Sequence, residues 1–198
     1  MDRKLEIWES DKDERIDMFA SNIESFQNNM DVDSSIADGF LRHFAELFQM
    51  LSIQQESGAK GPLRYITISF PRSSVVAETY ELVTACHTVD IFMDETETET
   101  YWPMDFYKEI VDRDMAIIVP KLKKNIFRIR GFEIEEFRNN YAFTYTVLLI
   151  AFFGRVIHQI FDLPEFQAVQ KDDQVDITFG GYMDEAIILT QYAGTSEH

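Results

Sequence analysis

The run from Tyr141 to Gly154, YAFTYTVLLIAFFG, constrains this chain more than any other segment. It carries no charge and is apolar all round a helix, so it has to be enclosed on most sides. It is shorter than a bilayer span, and Arg155 and His158 follow within about a turn, so it reads as a buried central helix and not as a membrane segment. With acidic residues ahead of it, Glu133 to Phe161 reads as one long helix.

Such a helix needs amphipathic partners. Residues 13 to 28 place Ile16, Phe19, Ile23 and Phe26 at spacings of three and four, the pattern of a helix buried on one side. Asp33 or Ser34 then offers an N-cap for a second helix, whose stripe of Ile36, Phe40, Leu41, Phe44, Leu47, Phe48 and Leu51 runs to about Gln55. The short connection predicts a helical hairpin over 1–56. Glu56 to Pro62, ESGAKGP, ends the helical chemistry. Beyond it Leu63 to Phe70, Thr79 to His87 and Thr88 to Met93 alternate and are rich in β-branched and aromatic residues, which predicts an antiparallel meander.

Met104 to Val119 reads as a helix closed by Pro120, and Pro164 as the start of a short one. Gln174 to Phe179 and Ile187 to Leu189, on either side of Gly180-Gly181, read as late strands. The expected class is α+β: an N-terminal helical hairpin, a three- or four-stranded antiparallel sheet and a long hydrophobic helix across one sheet face. No internal repeat is visible, and 1–198 is read as a single domain, with the hairpin in 1–56 and sheet plus helices in 63–198.

The formal charge is −17, but residues 121–160 reverse the sign, with 7 Lys/Arg against 3 Asp/Glu. Acidity on this scale repels phosphate, which argues against nucleic acid and for another protein with a basic surface. The basic island Lys121, Lys123, Lys124, Arg128 and Arg130 alternates with Leu122, Ile126, Phe127 and Ile129. It reads as an amphipathic segment whose cations meet acidic groups, with phosphate contacts, an acidic partner or a second copy of the chain as alternatives.

The single cysteine, Cys86, excludes an intrachain disulfide and the paired-cysteine zinc patterns. Together with the charged start MDRKLEIW, which lacks a secretory core, it points to a cytoplasmic location. Cys86 and His87 are strand neighbours, so their side chains should face opposite ways and not form a nucleophile and base pair. Phosphate-loop, dinucleotide, nucleophile-elbow and zinc-protease motifs are missing. The best metal candidates are His158, Asp162 and Glu165, with His43 and Glu46 as a complement, but they form no dense cluster. The reading is that no cofactor is bound.

Asp94, Glu95, Glu97 and Glu99 alternate with threonines and lead into Tyr101 and Trp102. Nothing in the local sequence neutralises these carboxylates, and amphipathic aromatics beside charge suit an interface, with Trp102 as the first choice of anchor.

Three segments, Tyr65-Ile66-Thr67-Ile68-Ser69-Phe70-Pro71-Arg72-Ser73-Ser74, Trp102-Pro103-Met104-Asp105-Phe106-Tyr107 and Gly180-Gly181-Tyr182-Met183-Asp184-Glu185-Ala186-Ile187-Ile188-Leu189, resemble uncharacterised bacterial proteins labelled normocyte-binding. The label implies cell adhesion, which the expected lack of an export signal and of disulfides does not fit. The resemblance implies a bacterial accessory protein without an established activity, and it carries over no functional residue. The leading expectation is a non-catalytic interaction module: an adaptor, an assembly subunit or an immunity-type inhibitor. The competing classes are an enzyme with a dispersed His/carboxylate site and a nucleic-acid contact through 121–130.

Overall fold

The computed structural model describes residues 2–32 and 34–194, the side chains of 29–32 and 92 excepted. In chain order the first elements are α1 (Arg3–Glu9), α2 (Lys12–Val32), α3 (Ser35–Glu56), β1 (Leu63–Ser69), α4 (Arg72–Val76), β2 (Glu81–His87) and β3 (Glu99–Pro103). There follow α5 (Asp105–Asn125), α6 (Gly131–Thr144), α7 (Thr146–Val156), α8 (Pro164–Ala168), β4 (Lys171–Gly180) and β5 (Ala186–Ala193). The class is α+β. The chain forms two compact units, Met1–Asp33 with Met104–Ala151 and Ser34–Pro103 with Phe152–His198. The break at 56–62 lies inside the second unit, and the two long N-terminal helices fall one in each.

In the helical unit α2 does not bury the whole expected stripe. Ile16 is exposed, while Arg15, Asn22 and Phe26 are buried and Phe19 is half-buried. These four are also spaced three and four apart, so the inward stripe is the neighbouring one. Helix α5 runs through Pro120 to Asn125 rather than stopping there. A proline inside a helix costs about 3 kcal/mol. Full burial of Leu122 and Ile126 beyond it offsets part of that cost.

The helical stretch Gly131–Asp162 is present as 32 residues, long and apolar enough by length and composition to cross a membrane. Its Leu148, Leu149, Phe152 and Phe153 are fully buried in the fold, whereas Val147 and Ile150 are exposed. It is not one continuous α-helix. Tyr145 separates α6 from α7, and a 3-10 segment, Ile157–Asp162, closes the stretch. The hydroxyls of Thr144 and Thr146 bond back to the carbonyls of Tyr141 and Phe143, 2.6 and 2.8 Å away, at that interruption. Such back-bonding competes with the helical ladder and bends it.

In the sheet unit the strand order is β3-β2-β1-β4-β5. The expected antiparallel sheet is corrected to a mixed one, because β1 and β4 pair in parallel while the other three pairs are antiparallel. Alternation has the same period in both ladder types, so strand direction is invisible in it. Thr88–Met93 is not a strand. The Thr88 N–H and hydroxyl bond Asp94, and the Asp90 N–H bonds the Thr88 hydroxyl at 3.2 Å, which closes a turn before a 3-10 segment, Ile91–Met93. The third strand is Glu99–Pro103, at the end of the acidic run.

Helix α3 buries the expected stripe of Phe40, Phe44, Leu47, Phe48 and Leu51. Asp33, one of its expected N-caps, lies outside the described residues. Ser34 holds that position, but its hydroxyl bonds the Asp38 carboxylate at 2.9 Å and no backbone N–H. The core is a chain of rings from Phe40, Phe44 and Phe48 to Trp102, Phe152, Phe153 and Phe166, with neighbouring centroids 4.8–5.9 Å apart. Gly180 is required where β4 turns toward β5, since a Cβ there would stand 2.2 Å from the Glu185 carbonyl oxygen.

Candidate functional site: an acidic cleft on the second face of the sheet

Side chains of β2 and β3 alternate between the two sheet faces. Leu82, Thr84, Cys86 and Trp102 are buried on the side of α3. Val83, Ala85, His87, Glu99 and Tyr101 take the other side, opposite one another through the pairs Val83–Tyr101 and Ala85–Glu99. On this second face Thr67, Ala85 and His87 line a cleft of about 70 Å3 together with Glu97, Glu99, Tyr182 and Met183. The strands supply one wall, the chain entering β3 a second, and the turn between β4 and β5 a third.

Asp94 also lines the cleft and is not a solvated carboxylate. Its Oδ2 stands 2.8 Å from Lys60 Nζ, and the Lys60 side chain is only 2% exposed. Asp94 accepts the Thr88 backbone N–H at 2.9 Å and the Thr88 hydroxyl as well. Burial would raise this carboxyl, but the bonds from Lys60 and Thr88 prevail and hold it below the usual carboxylate range. Lys60 donates in addition to the Thr96 carbonyl at 2.6 Å, which ties down the start of the acidic run.

His87 Nε2 is 3.1 Å from the Thr67 hydroxyl, and Nδ1 is 4.0 Å from Asp94. Burial and then the Lys60 charge push its pKa down, more strongly than Asp94 pulls it up, so the imidazole is neutral at pH 7. With Lys60 engaged, Glu97 and Glu99 leave the cleft with negative charge. A space of about 70 Å3 takes one ammonium or guanidinium end and is far below the roughly 300 Å3 at which metabolite pockets begin. Tyr101, 55% exposed, donates its hydroxyl to Glu99 at 3.2 Å, and the Glu99 charge raises the phenol above its ordinary value.

The structure separates the residues expected at a partner surface. Glu95 and Glu97 are exposed in the loop, Glu99 is half-buried, and Tyr101 is presented to solvent. Trp102, expected as the anchor, is 7% exposed and packs against Phe40 and Phe152 at 5.0 and 5.7 Å. It belongs to the core, because strand alternation turns it away from Tyr101. Asp94, expected with the glutamates at a partner surface, is instead half of a buried ion pair with Lys60. In the basic island Lys121 pairs with Glu14, while Lys123, Lys124, Arg128 and Arg130 are exposed.

The metal candidates do not converge. His43 Nε2 lies 2.6 Å from the Thr84 hydroxyl inside the core, where burial pushes its pKa down to about 4. His158 Nδ1 is 3.3 Å from the Thr190 hydroxyl, and Glu165 accepts from Gln49 at 3.4 Å. Among the described residues no three His, Cys, Asp or Glu side chains stand together as a metal cage. The Cys86 thiol is buried on the core face, and burial pushes its pKa far up. Sequence reasoning missed Lys60, Thr67, Tyr182 and Met183. A lone lysine between Gly58 and Gly61, and aromatic and methionine residues directly after Gly180-Gly181, were the available signals.

Comparison with known protein families, with curated proteins and with solved structures gives no match to this chain.

Proposed function

We propose that this chain is a non-catalytic protein-interaction module, of the kind used as an adaptor, an assembly subunit or an immunity-type inhibitor. Its sheet unit receives a basic side chain of a partner protein in the acidic cleft. One observation carries the reading: Glu97 and Glu99 share a cleft of single-side-chain size with Tyr182 and Met183, and exposed Tyr101 stands beside it. The unit that holds the cleft has 18 Asp/Glu against 6 Lys/Arg, compared with 17 against 12 in the helical unit. The long-range field therefore steers cations toward the unit with the cleft, and the aromatic and methionine side chains supply the apolar contact that a steered encounter needs to persist.

The test is affinity purification from the native cell with the wild-type chain and with a Glu95→Gln/Glu97→Gln/Glu99→Gln variant. A partner with a basic surface is retained by the wild type, weakened by the variant, and released as salt rises through the range where the Debye length falls from about 10 to 3 Å. Retention that is unaffected by molar salt and by the triple substitution overturns the reading.

A further inference from the structure

The helical unit carries a second surface that the acidic cleft leaves unused. Between α1 and α6 runs a groove of about 640 Å3 with Leu5, Trp8, Phe132 and Phe137 among its lining residues. Phe132 is 57% exposed and Leu5 is also open to solvent, so part of the apolar lining is uncovered. The groove's own carboxylates are engaged: Glu133 pairs with Arg3 at 3.0 Å, Glu136 with Lys4 at 2.6 Å, and Asp2 caps the Lys4 N–H at 3.1 Å.

The segment leading into α6 is tied to this groove, because Arg3 also donates to the Phe127 carbonyl at 2.9 Å. Phe127 is 76% exposed, with the Arg128 guanidinium 5.0 Å from its ring centre, and Arg130 lies 5.9 Å from the Phe132 ring. Lys123 and Lys124 stand exposed in the last turn of α5. A further cation reinforces the field. Arg15 is buried with its guanidinium 4.7 Å from the Trp8 ring and 5.2 Å from the Phe137 ring, and its Nε has no hydrogen-bond partner among the described residues.

We propose that the α1–α6 groove, with the adjoining segment 126–130, docks an acidic amphipathic helix of a partner protein. The concave apolar lining fits the i, i+3, i+4, i+7 face of a helix, and Lys123, Lys124, Arg128 and Arg130 match carboxylates on its flank. A bilayer surface would meet a protruding apolar patch, whereas the apolar lining between α1 and α6 is concave. These cations lie within residues 121–160, which carry 7 Lys/Arg against 3 Asp/Glu in a chain whose net charge is −17.

The test titrates the purified full chain with a synthetic amphipathic helix bearing leucine on one face and glutamate on the other, and follows tryptophan emission. Of the two tryptophans Trp8 lines the groove and Trp102 is buried, so a blue shift reports Trp8. Binding is expected to weaken with salt and to fall about tenfold or more in Lys123→Glu/Lys124→Glu/Arg128→Glu. The shift is expected to be lost in Phe132→Ser, which changes an exposed residue. Glu97→Gln/Glu99→Gln should leave it unchanged, which separates this surface from the acidic cleft. No response to the glutamate-faced helix, equal binding of a lysine-faced version, or a response only to phosphatidylglycerol vesicles or polyuridine overturns the proposal.

Discussion

The Tyr145 hydroxyl donates to Asp114 Oδ2 at 2.5 Å, so the residue that interrupts the long apolar helix also binds the buried carboxylate of α5. Asp114 is 2% exposed and accepts from Tyr141 at 2.8 Å and from Asn22 Nδ2 at 2.9 Å too. The helical unit is therefore keyed by a polar network in which one acceptor serves three donors from α2, α6 and the break. Burial pushes both phenols far up, and Asp114 raises them further, so they stay protonated donors.

Tyr145→Phe removes one charge-assisted bond and is expected to cost about 1.5–3 kcal/mol. Asp114→Ala removes the acceptor that three buried donors share and should cost more, about 3 kcal/mol or above. Urea unfolding of both variants checks the order, and a smaller loss for Asp114→Ala would contradict the network.

Lys60 and Asp94 form the sheet unit's buried pair. Asp94→Asn leaves an ammonium without its counter-charge and is expected to destabilise by about 3–5 kcal/mol. Lys60→Met/Asp94→Asn should lose less than the sum of the two single changes, and a double-mutant cycle measures the coupling.

Stability should fall on acidification in two windows. The folded-state pKa of His43, about 4, lies below the unfolded value of about 6.5, so the unfolded chain binds the proton more readily. Its contribution, about 3 kcal/mol, is complete above about pH 6.5 and is lost as pH falls toward 4. His87, also pushed down by burial, acts with the same sign. Asp94, held low, contributes above the unfolded carboxylate value of about 3.9 and loses that contribution as pH falls below it. His43→Gln should shrink the upper window in thermal unfolding across pH, leaving the part due to His87, and leave the lower one in place.

Tyr101 and Trp102 are neighbours with opposite expected phenotypes. Trp102→Ala opens the ring cluster and is expected to cost about 3–5 kcal/mol. Tyr101→Ala should change stability by no more than about 0.5 kcal/mol while weakening retention of the basic partner. Thermal melts and the affinity purification together separate the two roles.

Arg128 holds a left-handed backbone at φ 52°. Arg128→Gly relieves that strain and is expected to stabilise by about 0.5–1 kcal/mol. The same change removes a cation from the groove's margin, so the acidic helix should bind the more stable variant more weakly.

Much of this architecture is carried by local pattern. The stripe of α3, the β1 and β2 segments, the short helix at Pro164 and the charge reversal in 121–160 follow from residue spacing, because period and composition act within one element. What periodicity leaves undetermined was decided by partners distant in the chain. Parallel pairing of β1 with β4, the inward turn of Trp102, the burial of Asn22 in place of Ile16 and the meeting of Lys60 with Asp94 each depend on which surface lies opposite. Two adjacent stripes of α2 were open to burial, and the Asp114 carboxylate that binds Asn22 and the Trp8 and Phe137 rings that face Arg15 favour the second. The same holds for the acidic cleft. Glu97 and Glu99 were legible as charge, but the Tyr182 and Met183 wall of their cleft comes from the turn between β4 and β5, more than eighty residues further along the chain.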